Sequence, residues 1–271
     1  MDTGLKGKHV LITGASGGIG QAIARCFDEE GSTLSLHYNK NEKGIEELKS
    51  SLKGRFKAYK ADMTSKDSIR SLFKNCVESH GRIDALVVNH GIWSKDFVPA
   101  HEMSISQWDN TINVNLRSAF LCSKYFLQNL DDKPGESASI VFIGSTAGVF
   151  GEAGHVDYSV SKAGMHGLIR SLKNEIIHLT SQGFGRVNLV APGWTLSPMT
   201  EEFMDDHDSI KSALQTMPLR KLARVNDIAR TVVFLSSDML AGHISGQIIT
   251  VAGGMEGRKL FEHGEINIEK I

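Results

Sequence analysis

Tyr158 and Lys162 stand four residues apart in the run YSVSK, and Ser145 lies thirteen residues before the tyrosine, at the end of the apolar run IVFIGS. On a helix, positions i and i+4 share a face, so the Lys162 ammonium can stand beside the Tyr158 phenol. A phenol with its ordinary pKa of ~10 is a poor base at neutral pH. A neighbouring ammonium favours the phenolate, and each unit of depression reflects about 1.4 kcal/mol. A tyrosine so tuned gives a proton to a carbonyl oxygen or takes one from an alcohol. A serine at an adjacent strand end can hold that same oxygen. The plain alternative is a buried tyrosine with an unrelated surface lysine, and Y-x-x-x-K alone does not decide between the two.

A second cluster lies near the N-terminus. Gly14-Ala15-Ser16-Gly17-Gly18-Ile19-Gly20 follows the apolar run Lys8 to Thr13 and precedes a helical pattern, with apolar residues at Ile19, Ala22, Ile23, Cys26 and Phe27. Glycine lets backbone come close to a ligand, and the N–H groups of a helix start, with its partial positive charge, suit a pyrophosphate. A tight turn is the bland reading. The position, in the first βαβ unit of an alternating chain, favours a dinucleotide site. The spacing is G-x-x-x-G-x-G, and no lysine follows as an NTPase phosphate loop requires, which disfavours ATP and GTP.

The elements that must position these residues alternate. Strands are predicted at Lys8–Thr13, Thr33–Tyr38, Arg55–Ala61, Asp84–Asn89, Ala138–Gly144, Arg186–Ala191 and in QIITVA. Helices are predicted after the glycine turn, at Gly44–Leu52, after Ser65 as N-cap, near 106–130, near 156–182 and at Asn226–Ser236. This alternation implies a doubly wound parallel sheet of Rossmann type with helices on both faces, in one domain spanning 1–271. Residues 195–218, bounded by prolines and carrying Glu201, Glu202, Asp205, Asp206 and Asp208, read as an excursion, such as a small lid over a site. The tail 256–271 has no assigned role.

Composition bounds the rest. The 271 residues are 41% hydrophobic and 23% charged, and 30 basic against 31 acidic side chains give a net charge of −1. That excludes disordered and fibrous classes and shows no footprint for nucleic acid or an anionic membrane. Cys26, Cys76 and Cys122 are too far apart for a disulfide frame or a metal site, so a reducing, cytoplasmic location is expected. No apolar run reaches the ~18 residues of a membrane span, and MDTGLKGKHV lacks the apolar core of a signal peptide. The eleven histidines show no ligand-like spacing, and no metal is expected.

Taken together, TGASGGIG, the set Ser145, Tyr158 and Lys162, and Pro192-Gly193 resemble the short-chain dehydrogenase/reductase family over about residues 5 to 255. Within it the chain is most similar to the 3-oxoacyl-carrier-protein reductases. The resemblance implies a seven-stranded sheet and hydride transfer between a nicotinamide and a ketone or secondary alcohol. By position, Tyr158 is the acid/base, Lys162 lowers its pKa and binds the nicotinamide ribose, and Ser145 orients the substrate oxygen. Asn115 matches the fourth catalytic residue, with Asn113 the neighbouring alternative. Gly14, Ser16, Gly18, Ile19 and Gly20 would seat the pyrophosphate. Asp62 and Met63 would meet the adenine, Asn89 and Gly91 the adenine ribose, and Thr195 and Ser197 the carboxamide, with Pro192 and Gly193 also in the cofactor site. The family's N-N-A-G reads Val88-Asn89-His90-Gly91 here, and His90 reads as a packed histidine, with a second proton carrier as the alternative. The acid usual before the last glycine pair is Ala252.

The resemblance also frames cofactor and substrate. The place of the acid that selects NAD is held by Tyr38, followed by Asn39 and Lys40, so NADP(H) is favoured and NAD(H) is the alternative. Where the carrier-protein reductases carry basic docking residues, this chain has Gln128, Asn129 and Asn174, and the acidic lid opposes a polyanionic carrier. Reduction of a small ketone or free β-keto compound, or oxidation of a secondary alcohol or polyol, is therefore favoured over reduction of a carrier-bound acyl group. Trp93, Phe150, His155, Trp194 and Met199 are candidates for the pocket wall. A non-catalytic nucleotide-binding scaffold is the reading of another class. The family further implies a homotetramer, or a homodimer, through the Tyr158 helix and its neighbour.

Overall fold

A computed structural model describes residues 2–198 and 207–267. Seven parallel strands run in the order β3-β2-β1-β4-β5-β6-β9. They are β1 (His9–Ile12), β2 (Thr33–Tyr38), β3 (Phe56–Lys60), β4 (Ala85–Val88), β5 (Ser137–Ile143), β6 (Phe184–Pro192) and β9 (Ile248–Val251). Every residue of β1, β4 and β5 is buried, as expected where helices cover both faces of a sheet.

On one face the core joins α3 (Lys66–His80), α5 (Ser118–Asp132) and α7 (Val156–Glu175) through Phe73, Phe126 and Met165. On the other it joins α1 (Gly18–Glu29), α2 (Glu42–Ser51) and α9 (Val225–Ser236) through Phe27, Leu48 and Ile228. The strand order reverses between β1 and β4. The crossovers leave in opposite directions there, and a crevice opens at the carboxyl ends of these strands. Ser65 caps α3 by accepting from Ser68 N at 3.2 Å, as its sequence position implies.

The segment read as one helix near 106–130 is α4 (Ile105–Ile112), a π-helical turn (Asn113–Arg117) and α5 in unbroken succession. The segment read to 182 leaves α7 at Glu175 and ends in a 3₁₀ turn, Ile176–Leu179. Two short strands, β7 (Thr195–Leu196) and β8 (Ala223–Arg224), form a separate parallel pair. Beside them, α8 (His207–Leu214) packs Ile210, Leu214 and Met217 with Trp194, Phe261 and Ile266, so the tail covers this excursion. Of the excursion's acidic residues, Asp208 is described. Glu201, Glu202, Asp205 and Asp206 lie outside the described residues, as does Met199. Among the described residues no helix is long and apolar enough to cross a membrane.

Candidate active site

A cleft of about 890 Å³ lies at the carboxyl ends of the strands, and the two clusters found in the sequence meet in it. The glycine turn forms one wall. Gly14 has φ +65°, and a Cβ there would stand 2.9 Å from His90 Cα. A side chain on Gly20 would collide with the Gly14 carbonyl oxygen. The turn is held from below. His37 Nδ1 accepts from Gly14 N at 3.0 Å, while His37 Nε2, 3.1 Å away, donates to Ala61 O. Asn89 Nδ2 donates to the carbonyls of Thr13 and Gly14, at 3.1 and 3.0 Å. No side chain caps the N-terminus of α1, whose N-cap is Gly17. This bare helix start, with Gly14, Gly18 and Gly20 lining the cleft, fits the pyrophosphate of a dinucleotide.

Val88 replaces an asparagine at the end of β4, and Thr13 and His90 brace the place instead. Thr13 Oγ1 donates to Val87 O and accepts from Asn89 N at 2.9 Å. His90 bridges Thr13 Oγ1 at 2.8 Å and Ser118 Oγ at 2.6 Å. Burial pushes His37 down to about 4 and His90 to about 3. Both rings are neutral at physiological pH, so His90 acts as a packed hydrogen-bonding strut.

The opposite wall carries the candidate catalytic set. Ser145 follows β5 and caps the short helix α6 (Thr146–Phe150), accepting from Ala147 N at 3.1 Å. Tyr158 and Lys162 lie on α7, which is fastened to α4 by the Thr111 hydroxyl donating to Asp157 Oδ2 at 2.7 Å. Lys162 Nζ donates to Ile143 O at 2.9 Å and stands 5.7 Å from the centroid of the Tyr158 ring. A Cβ at Gly91 would lie 3.2 Å from Asn115 Oδ1 and 3.3 Å from Lys162 Nζ, so both side chains meet at Gly91; Gly91 and Lys162 line the cleft, whereas Asn115 does not reach it. Asn115, in the π-helical turn, is fully buried. Its Oδ1 accepts from Ile92 N at 2.8 Å, and its Nδ2 donates to Ile92 O at 2.9 Å and Ser161 Oγ at 3.0 Å. Asn113 instead accepts from Arg117 Nη1 at 3.1 Å.

The electrostatics correct one expectation. Burial pushes the Tyr158 phenol up to about 12; a hydrogen bond with Ser145 acts the other way, and the Glu152 charge raises it further. Burial also pushes the Lys162 ammonium down to about 8. Here desolvation dominates, because both groups have left water, and the ammonium is engaged with a backbone carbonyl.

The cofactor candidates fall along the cleft. Ser16, Ile19, Asn39, Lys40, Asp62, Met63, Asn89, Gly91, Pro192, Gly193, Thr195 and Ser197 all line it. Tyr38 does not: it ends β2, packs against the apolar core and accepts from Ala61 N. Asp62 accepts from Thr64 N and Thr64 Oγ1, both at 2.8 Å, and these bonds hold its carboxyl below the usual range. Trp93 and Trp194 form part of the wall. His155 sits behind Trp93, and Phe150 packs on Gly257 outside the cleft. Sequence reading missed Glu152, Ile92 and Met255, which also line the cleft, and the supporting His37. The Glu152 signal was its place between Gly151 and Gly154, inside the interval from Ser145 to Tyr158.

Known proteins share this architecture. A family model described as enoyl-(acyl carrier protein) reductase matches residues 14–256. The chain is 32% identical to the 3-oxoacyl-(acyl-carrier-protein) reductase FabG of Thermotoga maritima, over 93% of this chain and 98% of that one. It is 37% identical to FabG of Staphylococcus aureus, over 92% and 98%. A solved structure of a double mutant of the Serratia marcescens short-chain dehydrogenase/reductase superposes with a TM-score of 0.82 at 26% identity, covering 92% of this chain and 98% of that one. With its seven-stranded parallel sheet, this chain belongs to the short-chain dehydrogenase/reductase family and is a nicotinamide-dependent oxidoreductase acting on CH–OH groups.

Proposed function

We propose that the protein reduces a small free ketone with NADPH, or runs the reverse oxidation of a secondary alcohol, with Tyr158 as acid/base. The observation that carries this reading is the convergence of Ser145, Tyr158 and Lys162 on one cleft with the glycine turn. Gly14, Ser16, Gly18, Ile19 and Gly20 hold the pyrophosphate, Asn39 and Lys40 the phosphorylated ribose, and Asp62 and Met63 the adenine. Asn89 and Gly91 meet the adenine ribose, Thr195 and Ser197 the carboxamide, and Pro192 and Gly193 complete the cofactor site. The nicotinamide, when bound, supplies or accepts the hydride. Ser145 orients the substrate oxygen and Tyr158 moves the proton at that oxygen. Lys162 binds the nicotinamide ribose, and Asn115 fixes the chain beside Lys162.

A second reading is reduction of a carrier-bound 3-oxoacyl group, favoured by the names of the FabG relatives. Against it, Asn129 is buried and tied to Ile83, with Ile83 N donating at 3.1 Å and Asn129 Nδ2 donating to Ile83 O at 3.0 Å. It offers an acidic carrier nothing. A panel of ketones, sugars and acyl thioesters, read as consumption of NADPH and of NADH, tests both readings. The expected result is faster reduction of small ketones, with NADPH preferred. Turnover confined to acyl-carrier thioesters overturns the substrate, and an NADH preference overturns the cofactor.

The assembly proposed is a homotetramer through α5 and α7, where Leu116, Phe120 and Leu168 line an apolar groove and Phe120 is 48% exposed. Its mass in solution checks this, and a monomer rejects it. The reduced state implied by three widely spaced cysteines supports a cytoplasmic location.

A further inference from the structure

Two carboxylates line the cleft among the described residues, Asp62 at the β3 end and Glu152 on the wall that bears Tyr158. Asp62 is engaged with Thr64, whereas the polar neighbour of the Glu152 carboxylate is a histidine: His155 Nδ1 stands 3.6 Å from Glu152 Oε1. That histidine is fixed on every side. It stacks on Trp93 at 5.3 Å and 29°, and Phe97 meets it edge-on at 6.4 Å. Its Nδ1 lies 3.2 Å from Ala153 O, and since a carbonyl only accepts, Nδ1 carries the proton. His155 Nε2 is buried with no hydrogen-bond partner among the described residues. The turn that carries Glu152 is latched to the loop after β4, with Val98 N donating to Gly154 O at 3.0 Å and the Phe97 ring lying where a Gly154 side chain would be. Glu152 is thus held by a built wall, its side chain 35% exposed.

A carboxylate in this position costs the enzyme something in the reaction already described. Its charge disfavours the phenolate of Tyr158, and burial raises its own pKa. Ile92, Trp93, Trp194 and Met255 line the same cleft. A fixed carboxylate beside apolar side chains binds a donor on the ligand and excludes an anion there. We propose that Glu152 sets substrate specificity by accepting a hydrogen bond from a hydroxyl or ammonium group on the carbon next to the one that is oxidised or reduced. The inference rests on the ketone/alcohol reading above and names the substrate class within it. A substrate donor on Glu152 also offsets the charge that opposes Tyr158 ionisation, so recognition and proton transfer favour the same ligands.

The test uses four probes with NADPH: hydroxyacetone, aminoacetone, butanone and acetoacetate, each measured as kcat/KM. The wild type is expected to prefer hydroxyacetone to butanone by about tenfold, the order set by a hydrogen bond to a charged group, and to reduce acetoacetate least. Glu152→Leu removes the preference for both donors. Glu152→Gln keeps an acceptor but not the charge, so it retains most of the hydroxyacetone preference and loses that for aminoacetone if the natural donor is an ammonium. A wild-type hydroxyacetone-to-butanone ratio near one, or a ratio unchanged in Glu152→Leu, overturns the inference and leaves the ketone reading intact. Failure to reduce any of the four defeats the ketone reading and the inference with it. Should Glu152→Leu not fold, the wild-type ratios and Glu152→Gln still decide the outcome.

Discussion

The Lys162 ammonium donates to the Ile143 carbonyl across 2.9 Å, which ties the candidate catalytic helix to the end of the central strand β5. This bond fixes the amine beside Gly91 and Asn115, at a place where burial has already pushed its pKa down to about 8. Holding an ammonium there is a strained arrangement that the surrounding fold maintains.

Lys162→Met is therefore expected to abolish turnover while stabilising the protein. The fall from the ordinary 10.5 to about 8 corresponds to a penalty on the order of 3 kcal/mol at pH 7, where the amine is charged in both the folded and unfolded chain. Between pH 8 and 10.5 the unfolded chain binds more protons than the folded one, so wild-type stability gains on the variant as pH rises through that window. Denaturant melts at pH 7 and pH 10 measure the gap. A gap that stays constant, or a variant less stable at pH 7, rejects the assignment.

Tyr158→Phe removes the proposed proton carrier and keeps the ring. Activity in both directions should fall by about two to four orders of magnitude, the worth of a positioned acid–base group. NADPH binding, followed by fluorescence titration, should persist. Because burial holds the phenol near 12, wild-type alcohol oxidation should climb with pH through the alkaline range, while ketone reduction holds its rate at neutral pH, where the phenol keeps its proton. Unchanged turnover in Tyr158→Phe would remove Tyr158 from its role.

What the sequence made legible was the framework. Strand and helix periods placed β1, β2, β5 and α7 to within a residue or two at their starts, because a parallel sheet buried on both faces writes itself as apolar runs. The motif residues of the cleft were legible because the glycine turn, the strand-end serine and Y-x-x-x-K occur together in one alternating chain, although none of them is decisive alone. Three things were not. The π-helical turn that turns Asn115 inward has the same apolar period as the helices it joins. The pKa of Tyr158 depends on how much water is excluded, which spacing does not encode. The struts His37 and His90 contact residues that are 23 and 77 positions away, and no local pattern reports such pairs.

These struts make the protein acid-sensitive below the usual histidine range. His37 is held at about 4 and His90 at about 3 by burial, against 6.5 when exposed. The unfolded chain takes up protons between pH 6.5 and 4 that the folded chain refuses, so stability is full above 6.5 and is lost as pH falls. For His37 alone the loss approaches about 3 kcal/mol by pH 4. Urea melts should show His90→Ala, with the residue the family has at this place, losing less stability than the wild type between pH 7 and pH 5. Parallel losses in the two proteins count against the role of His90.

Lys40 decides the last prediction. It lines the cleft after β2, and its charge bears on Asp62 across the site. Its neighbour Asn41 is committed elsewhere: Nδ2 donates to Ser16 O at 2.9 Å and Oδ1 accepts from Gly44 N at 2.9 Å. Tyr38 packs against the core and does not line the cleft, so on the proposed NADPH reading recognition of a 2′-phosphate falls to Asn39 and Lys40. Lys40→Asp replaces an attraction by a repulsion. It should lower kcat/KM for NADPH by about tenfold or more, the order of one charge-assisted hydrogen bond, and leave NADH within a few-fold. Since Lys40 is exposed, the wild-type preference should also shrink as salt rises. A preference for NADPH that survives both the substitution and high salt would mean that the phosphate is held by something other than this lysine.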